Sequence, residues 1–370
     1  MLPPLRIASL FVCVFLILTS HLSANDWLVG GDISALPFFE QHGAVYYDEE
    51  GNSGDCIALL QEKGSNCFRL RLFVDPTMEE VVCNDLDYTL RLAKRIKNAG
   101  ASLLLDLHYS DTWADPAKQF IPACWEGMDE DQLATAVEAY TEEVFKRFIE
   151  EGITVDYVQL GNEITNGFLW PIGRIEHNPE DAEDYTNWDQ FAGLLHAAHR
   201  GLESAYAGSG QKLPVRYHHI ESADDPNKTL WYLKGLARYD IPFDGIALSY
   251  YPEWHGTLND LQVAMALVVS MTHKPVLVVE TAYPWCEEEG VEATDENFPY
   301  GKSQEGQSAF LEALVETVKS APDGKGSGVI YWYPESRRMD ADFYIWKWGS
   351  YALFDEHGRI LKGAEFAKSQ

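Results

Sequence analysis

Short apolar segments alternate with longer amphipathic segments along most of the chain. Eight of the short segments are rich in Val, Leu and Ile, as buried parallel strands are, and they lie at residues 27–31, 67–74, 102–108, 155–161, 214–220, 245–250, 275–281 and 328–333. Between them, apolar residues recur at three- and four-residue spacing, for example over residues 86–96 and 133–145, which is typical of helices that bury one face. Eight strand–helix units predict an α/β protein whose strands close into a (β/α)8 TIM barrel.

The alternative arrangement of such units is a doubly wound open sheet. That fold normally carries a Gly-rich phosphate-binding loop after its first strand, and the stretch Gly30-Gly31-Asp32 does not supply one. A single barrel takes about 250 residues, and often more when its loops are extended. Because no linker rich in Pro, Ser or Gly divides the chain, we expect one catalytic domain over residues 25–370.

Residues 1–24 have the three parts of a secretory signal peptide. Arg6 supplies a positive start, residues 7–18 are apolar but too few to cross a bilayer, and small residues precede Asn25. We expect cleavage after Ala24 and a secreted protein, either extracellular or periplasmic. No later segment is long and apolar enough to span a membrane, so we expect no membrane partner.

Charge and cysteine content narrow the choice of ligands. The formal net charge of −30 argues against nucleic acid, because phosphate binding needs a basic surface, and it favours a neutral substrate. Removal of the leader leaves five cysteines without a CxxC pair, which argues against a zinc site: Cys56, Cys67, Cys83, Cys124 and Cys286. Their disulfide pairing stays open.

Two of the predicted strands end on a glutamate. Glu163 closes the segment that starts at Val155, and Glu280 closes the segment that starts at Pro275. In α/β barrels the chemistry lies at the C-terminal ends of the strands, and two facing carboxylates there can cleave a glycosidic bond. Each glutamate could instead cap the next helix or pair with an arginine. The pair, with Asn162 beside Glu163, favours the catalytic interpretation.

Four longer strings are LLLDLHYSDTWADPAKQ at 103–119, QLGNEITNGFLWP at 159–171, SYYPEWHGTL at 249–258 and VETAYPW at 279–285. They resemble those of glycoside hydrolase family 53, the endo-β-1,4-galactanases, within the large clan of retaining barrel glycosidases. Shorter matches are GDIS at 31–34, RLRLFVDP at 69–76 and ALFD at 352–355. The resemblance covers essentially the whole chain after the leader.

The resemblance implies that Glu163 is the catalytic acid/base and Glu280 the nucleophile. The chemistry requires an acid that keeps its proton near neutral pH and a nucleophile that stays ionised. A retaining mechanism also predicts that their carboxyl groups lie about 5 to 5.5 Å apart. Asn162 offers an amide that could hydrogen-bond the sugar 2-hydroxyl, although a turn or helix-cap role is also open.

Two further residues are expected to support the nucleophile. Arg71 is the candidate cation for Glu280, with a structural salt bridge as the alternative. Either Tyr250 or Tyr251 could place its phenol on the carboxylate of Glu280, and the resemblance favours Tyr250.

Candidate substrate-binding residues follow the predicted strands. Those beyond the third strand could line the cleft, and His218 at the fifth strand could do so too; His219 is the alternative to it, because adjacent strand residues face opposite sides. Indole rings can pack against the C–H face of a sugar, so exposed tryptophans are candidate platforms. The predicted substrate-binding residues are His108, Asp111, Trp113, His218, Trp254, Trp285 and Trp332, and Trp170 and Trp346 are further candidates.

One string departs from the family pattern. After the eighth strand the family often shows Tyr-Trp-Glu-Pro, whereas this chain has YWYPE at 331–335. Some bacterial relatives carry a structural calcium near this region. The acidic residues here, including Asp340 and Asp342, show no recognisable spacing of oxygen ligands, so calcium stays open. The chemistry itself needs no cofactor.

We therefore expect a secreted, monomeric, retaining endo-β-1,4-galactanase that cuts β-1,4-galactan side chains of pectin. The alternatives are a related endo-glycanase acting on mannan or glucan, and a non-catalytic carbohydrate-binding barrel, which would be expected to lack one glutamate. A barrel aldolase or isomerase is disfavoured, because no strand-end Lys suits a Schiff base.

Overall fold

A computed structural model describes residues 27–287, 297–339 and 345–368. The predicted leader, Asp340 and Asp342 lie outside this part of the chain. The described residues form a closed barrel of eight parallel strands that alternate with helices, which confirms the predicted fold. No helix in this part is both long and apolar enough to cross a membrane.

The barrel strands match the eight apolar segments of the sequence. They are β1 (Leu28–Asp32), β2 (Cys67–Leu72), β3 (Ser102–Leu107), β4 (Tyr157–Leu160), β5 (Val215–Ile220), β6 (Gly245–Ser249), β7 (Val276–Glu280) and β8 (Gly326–Trp332). Strand β1 pairs with both β2 and β8, which closes the barrel. At the closure Gly328 lies opposite Leu28 with φ 148°, and a Cβ there would stand 1.9 Å from the Leu28 carbonyl oxygen.

Eight helices of the described part of the chain pack around the barrel, and six of them begin at a side-chain cap. They are α1 (Leu36–Gln41), α2 (Cys56–Glu62), α3 (Leu86–Asn98), α4 (Glu130–Glu150), α5 (Trp188–Tyr206), α6 (Pro226–Arg238), α7 (Leu258–Thr272) and α8 (Gln304–Lys319). Asp129 caps α4 in a reciprocal capping box with Gln132, and Thr257 and Asp260 do the same for α7. A short hairpin pairs Tyr46–Tyr47 with Ser53–Gly54.

The barrel interior has an apolar layer at its N-terminal end. Its members come from all eight strands and form a cluster separate from the larger core between barrel and helices: Leu28, Cys67, Leu104, Tyr157, Tyr217, Ala247, Leu277, Val279 and Ile330. Two residues further along several strands, the same inward face carries polar groups such as Arg69, Asp106, Gln159, His219 and Ser249. The strands therefore present a polar layer toward their C-terminal ends, where the site lies.

The thiols of Cys56, Cys67, Cys83 and Cys124 are free. The first three are buried, and burial raises the pKa of each of these thiols above its ordinary value. Buried, protonated thiols of this kind behave as small apolar side chains.

Candidate active site

A cavity of about 570 Å3 opens at the C-terminal end of the barrel. Its lining comes from segments that follow several barrel strands and includes both glutamates and a group of aromatic rings: His108, Trp113, Asn162, Glu163, Tyr251, Trp254, His255, Glu280, Trp332, Tyr333 and Trp346. A concave, aromatic-rich pocket with a few converging polar groups is the expected form of a ligand site.

Glu163 lies just beyond β4 with a left-handed backbone conformation, φ 50° and ψ 53°. Its side chain is nearly buried, at 9 % exposure, and its Oε1 accepts a hydrogen bond of 2.6 Å from Ser249 Oγ. A left-handed conformation is uncommon outside glycine and often marks a functional position. Here it accompanies a carboxylate that lines the cavity.

Glu280 is the last residue of β7, and 5 % of it is exposed. Its Oε1 lies 2.8 Å from Arg69 Nη1, and its Oε2 accepts a hydrogen bond of 3.1 Å from Tyr251 Oη. The two carboxylates therefore have different surroundings. Glu280 has a buried cation and a phenol donor beside it, whereas Glu163 accepts a hydrogen bond from a neutral serine hydroxyl.

The prediction that Arg71 pairs with Glu280 is wrong, because Arg69 takes that place. Arg71 instead binds Asp32 at 3.2 Å and donates 2.7 Å to Tyr333 Oη. The two arginines are two residues apart on β2, so both side chains face the interior at different heights. Arg71 lies among aromatic rings, 4.5 Å from the centre of the Trp113 ring.

Arg69 connects Glu280 to the rest of the polar layer. It also binds Asp32 at 3.0 Å and Asp106 at 2.8 Å, and it donates to Asn162 Oδ1 at 2.7 Å. The guanidinium lowers the pKa of Asp106 against the opposing effect of burial. This fully buried cation therefore has several anionic partners, as a buried charge requires.

The prediction for Tyr250 is also wrong. Its hydroxyl donates to the Gly256 carbonyl at 3.1 Å, and its ring stacks against Phe310 on the outer side. Tyr251 supplies the phenol to Glu280. Because Ser249 points inward to Glu163, the next residue points outward and the one after it inward, so the alternation of the strand continues past the end of β6.

Asn162 lines the cavity with most of its amide engaged by protein. Its Oδ1 accepts from Arg69, and its Nδ2 donates 2.8 Å to the Ala114 carbonyl. An amide nitrogen carries two hydrogens, so the second N–H is the one available for a sugar hydroxyl. The predicted contact with the 2-hydroxyl stays a prediction.

The residues predicted beyond β3 divide between the cavity and the loops. His108 and Trp113 line the cavity, and His108 Nε2 lies 2.9 Å from Asp106 Oδ2. Asp111 does not reach the cavity lining, contrary to expectation. Its carboxylate accepts the backbone N–H groups of Asp75 and Ala123, so it joins two loops.

His218 was predicted to bind substrate, and this is wrong. Its Nε2 lies 2.8 Å from the hydroxyl of Tyr232 on α6, outside the barrel. The neighbouring His219 faces inward and contacts Ser249 and Glu163. Alternation of side chains along a strand decides between them, and the start of β5 had to be known to one residue to make that choice.

The predicted tryptophan platforms also divide. Trp254 and Trp332 line the cavity, as does Trp346, and 53 % of Trp254 is exposed. Trp285 lies in a different depression beside Trp348, and its indole N–H donates to the Gly349 carbonyl at 2.9 Å. The placement of Trp285 in the substrate cleft is therefore wrong.

The chain-specific string YWYPE places a phenol in the cavity and a carboxylate behind it. Tyr333 lines the cavity and accepts the hydrogen bond from Arg71. Glu335 is fully buried, and its Oε1 accepts from the Ala35 N–H at 3.0 Å. Burial, together with the charge of Asp32, raises the pKa of Glu335 to about 8. The Glu335 carboxylate therefore lies outside the cavity lining.

Burial raises the pKa of both cavity glutamates, but their charged and polar neighbours differ. Burial raises the pKa of Glu163 well above its ordinary value, and the charges of Glu280 and Glu221 raise it further. Burial also raises the pKa of Glu280, to about 7, but Arg69 and the Tyr251 hydrogen bond oppose that rise. Because Glu280 has a cation and a phenol donor beside it while Glu163 has neighbouring negative charge, protonation favours Glu163.

Comparison with known proteins places the chain in a family. The profile of glycosyl hydrolase family 53 matches residues 28–366. An arabinogalactan endo-β-1,4-galactanase from Cellvibrio japonicus is 35 % identical over 321 residues, which cover 84 % of this chain and 81 % of that protein.

Two solved structures agree with this match. The family 53 catalytic domain from Ignisphaera aggregans is 31 % identical with a TM-score of 0.83, and the match covers 94 % of this chain and 97 % of that one. A fungal β-1,4-galactanase structure is 30 % identical with a TM-score of 0.81 and coverages of 93 % and 99 %. This chain therefore belongs to glycosyl hydrolase family 53.

Proposed function

We propose that this chain is an exported endo-β-1,4-galactanase that cleaves neutral β-1,4-galactan, the side chain of pectin, with retention of anomeric configuration. The relatives named as arabinogalactan endo-β-1,4-galactanases support the substrate class. The observation that carries the mechanism is the pair of strand-end carboxylates in one cavity, one beside a buried cation and one beside a serine hydroxyl.

In the first step, Glu280 attacks the anomeric carbon while Glu163 gives its proton to the glycosidic oxygen. The bond between that carbon and oxygen breaks, the leaving sugar departs as an alcohol, and the remaining sugar is joined to Glu280 as an ester. In the second step, Glu163 takes a proton from water, and the oxygen of that water attacks the anomeric carbon. The ester bond breaks and Glu280 leaves as a carboxylate.

The surroundings of the two glutamates support this division of roles. Arg69 and Tyr251 stabilise negative charge on Glu280, both before attack and as the ester leaves. Burial and neighbouring negative charge favour the protonated form of Glu163. A general acid needs such a raised pKa to hold its proton near neutral pH.

The shape and charge of the molecule support a neutral polymer as substrate. Aromatic rings line the open cavity, and an exposed indole at Trp254 offers a face to a sugar ring. The net charge of −30 disfavours polygalacturonate, so the uronic backbone of pectin should be left intact. We expect the enzyme to act as a monomer without a cofactor.

The decisive experiment measures reducing ends released from β-1,4-galactan, mannan, cellulose and xylan, together with solution viscosity. We expect galactan to be cut fastest, with an early fall in viscosity because cleavage is internal. Faster cleavage of mannan or cellulose would leave the alternative, a related endo-glycanase, as the better assignment. If none of the four polysaccharides is cut, so that no reducing ends are released, a non-catalytic carbohydrate-binding barrel would be the better assignment.

The stereochemical outcome and the leader have their own tests. Proton NMR of the first product should show the β-anomer, and an experimental structure should place the carboxyl groups of Glu163 and Glu280 about 5 to 5.5 Å apart. An α-anomer, or a spacing near 9 Å, would contradict double displacement. Protein recovered outside the cell should begin at Asn25, within a few residues.

A further inference from the structure

Glu163 is held at both its backbone and its side chain by one closed chain of hydrogen bonds. Its backbone N–H donates to His219 Nδ1 at 3.3 Å, and His219 Nε2 lies 2.9 Å from Ser249 Oγ. Ser249 Oγ then lies 2.6 Å from Glu163 Oε1 and returns the chain to the residue where it began. His219 and Ser249 are both fully buried.

The direction of every bond in this chain follows from chemistry. A backbone N–H can only donate, so His219 Nδ1 must accept and the single hydrogen of a neutral imidazole must sit on Nε2. That hydrogen is donated to Ser249, which leaves the serine hydroxyl hydrogen to be donated to Glu163 Oε1. The backbone N–H of Glu163 therefore fixes the direction of all three hydrogen bonds, and no protonation state has to be assumed to assign them.

The environment of His219 keeps it in this neutral form. Burial lowers its pKa well below the ordinary value, and the positive charge of Arg69 on β2 lowers it further. Asp106 on β3 acts in the opposite direction, while His108 and the adjacent His218 add to the lowering. These surroundings therefore favour the neutral histidine, with its hydrogen on Nε2 as the hydrogen bonds require.

We propose that His219 and Ser249 are positioning residues that hold Glu163 Oε1 as a hydrogen-bond acceptor, so that Oε2 carries and transfers the catalytic proton. A hydrogen on Oε1 would face the hydroxyl hydrogen of Ser249, so the acid proton belongs on the other oxygen. Oε2 donates it to the leaving oxygen and later accepts one from water. This inference rests on the proposed role of Glu163 as acid/base.

The closed chain also explains how the carboxyl group can keep one orientation through both steps. His219 binds the backbone of Glu163 and, through Ser249, its side chain, so the position of the carboxyl group is fixed relative to its own peptide. Glu163 makes this contact while its own backbone is in the left-handed conformation. An acid that stays in place avoids reorganisation when it changes from donor to acceptor.

The test compares Ser249→Ala, His219→Leu and His219→Gln on two aryl β-galactobiosides, one with a dinitrophenolate leaving group and one with a poor phenolate. A good leaving group departs without a proton, so its kcat/KM does not depend on the acid. We expect Ser249→Ala and His219→Leu to lower kcat/KM for the poor leaving group about ten- to one-hundredfold and to change it for the dinitrophenyl substrate less than about threefold. His219→Gln, which can place an amide N–H near the former Nε2, should recover most of the loss.

His218→Leu is the matched control, because it removes the adjacent buried histidine, whose partner is Tyr232 outside the barrel. It should leave the ratio between the two substrates as in the wild type. The concentration of active sites is measured from the burst of leaving group released by a 2-fluoro galactobioside. Rates are divided by this concentration, so that a loss of folded protein does not lower them. As a second readout, Ser249→Ala removes a hydrogen bond that lowers the pKa of Glu163, so the basic limb of kcat/KM should move to higher pH.

Equal losses on both substrates would mean a merely structural role and would overturn the proposal. So would rates unchanged on both, or a basic limb that moves to lower pH. If the wild type itself inverts configuration or cuts no galactoside, the proposed function fails instead, before any variant is measured.

Discussion

Arg69 Nη1 lies 2.8 Å from Glu280 Oε1. Glu280 lines the cavity, whereas Arg69 is fully buried and is not part of the cavity lining. The cation reaches the carboxylate from below, on the side away from the substrate cavity. It can therefore stabilise the charged form of Glu280 without occupying the space in which a sugar would lie. The functional consequences of this arrangement can be measured.

The roles of the two glutamates can be separated by azide rescue. Glu163→Ala should keep the first step on an aryl galactobioside with a good leaving group, because that group departs without a proton, and azide should speed the second step. Glu280→Gly should lack the covalent intermediate, so azide should not restore cleavage with retention. Product anomers are read by NMR, and an exchange of the two patterns would reverse the assignment.

Tyr251→Phe should move the acid limb of kcat/KM to higher pH. The phenol donates to Glu280 Oε2 and thereby stabilises the ionised carboxylate, so its loss raises a pKa that is about 7 in the intact protein. We expect a displacement of about one pH unit, the size of a hydrogen bond to a charged group. Activity at low pH is lost first, because the nucleophile is then protonated.

Tyr250→Phe is the matched control for this change. Its hydroxyl donates to the carbonyl of Gly256, so its removal should leave the acid limb where it is. A limb that moves in Tyr250→Phe but stays in Tyr251→Phe would contradict the assignment of the phenol to Glu280.

Trp254→Ala should weaken cleavage of the polymer more than cleavage of a short aryl substrate. The exposed indole lines the cavity, and loss of one stacking contact is worth about tenfold in kcat/KM on galactan. Trp285→Ala makes the same change in the separate depression and should leave the ratio of polymer to short substrate unchanged. Equal effects of the two variants would remove Trp254 as a sugar platform.

Asp129→Ala should lower the free energy of unfolding by about 1 kcal/mol in a urea titration. The side chain accepts the N–H of Gln132 and completes the capping box of α4. Asp131→Ala removes a carboxylate from the same first turn without removing the cap, so it should cost only about a few tenths of a kcal/mol. Activity per folded molecule should stay unchanged in both.

The order of the eight strands could be predicted from sequence because buried parallel strands are continuous apolar runs. The strand-end glutamates could be found for the same reason, since their position relative to a strand is visible in the sequence. The particular residues that contact these glutamates could not be predicted in the same way. Arg69 and Arg71 have the same inward face, so only their height in the barrel separates them, and height is set by the stagger of eight strands.

A different limit applies at His218 and Tyr250. Each was chosen one residue away from the side chain that faces the site, and a shift of one residue reverses the face. A strand boundary read from sequence is uncertain by more than that. Trp285 was misplaced for a third reason: its position depends on the path of a loop, which strand periodicity does not describe.

In the described part of the chain, the apolar layer fills the N-terminal end of the barrel, and the cavity opens at the C-terminal end. A sugar, the departing alcohol and the hydrolytic water must all pass the same opening, because Tyr157, Tyr217 and their neighbours fill the other end. In the proposed double displacement, water would therefore reach the glycosyl ester through the space that the leaving group has vacated. An alcohol that enters that space before water would receive the sugar instead. The ratio of hydrolysis to glycosyl transfer would then depend on how water and alcohols compete for the same opening.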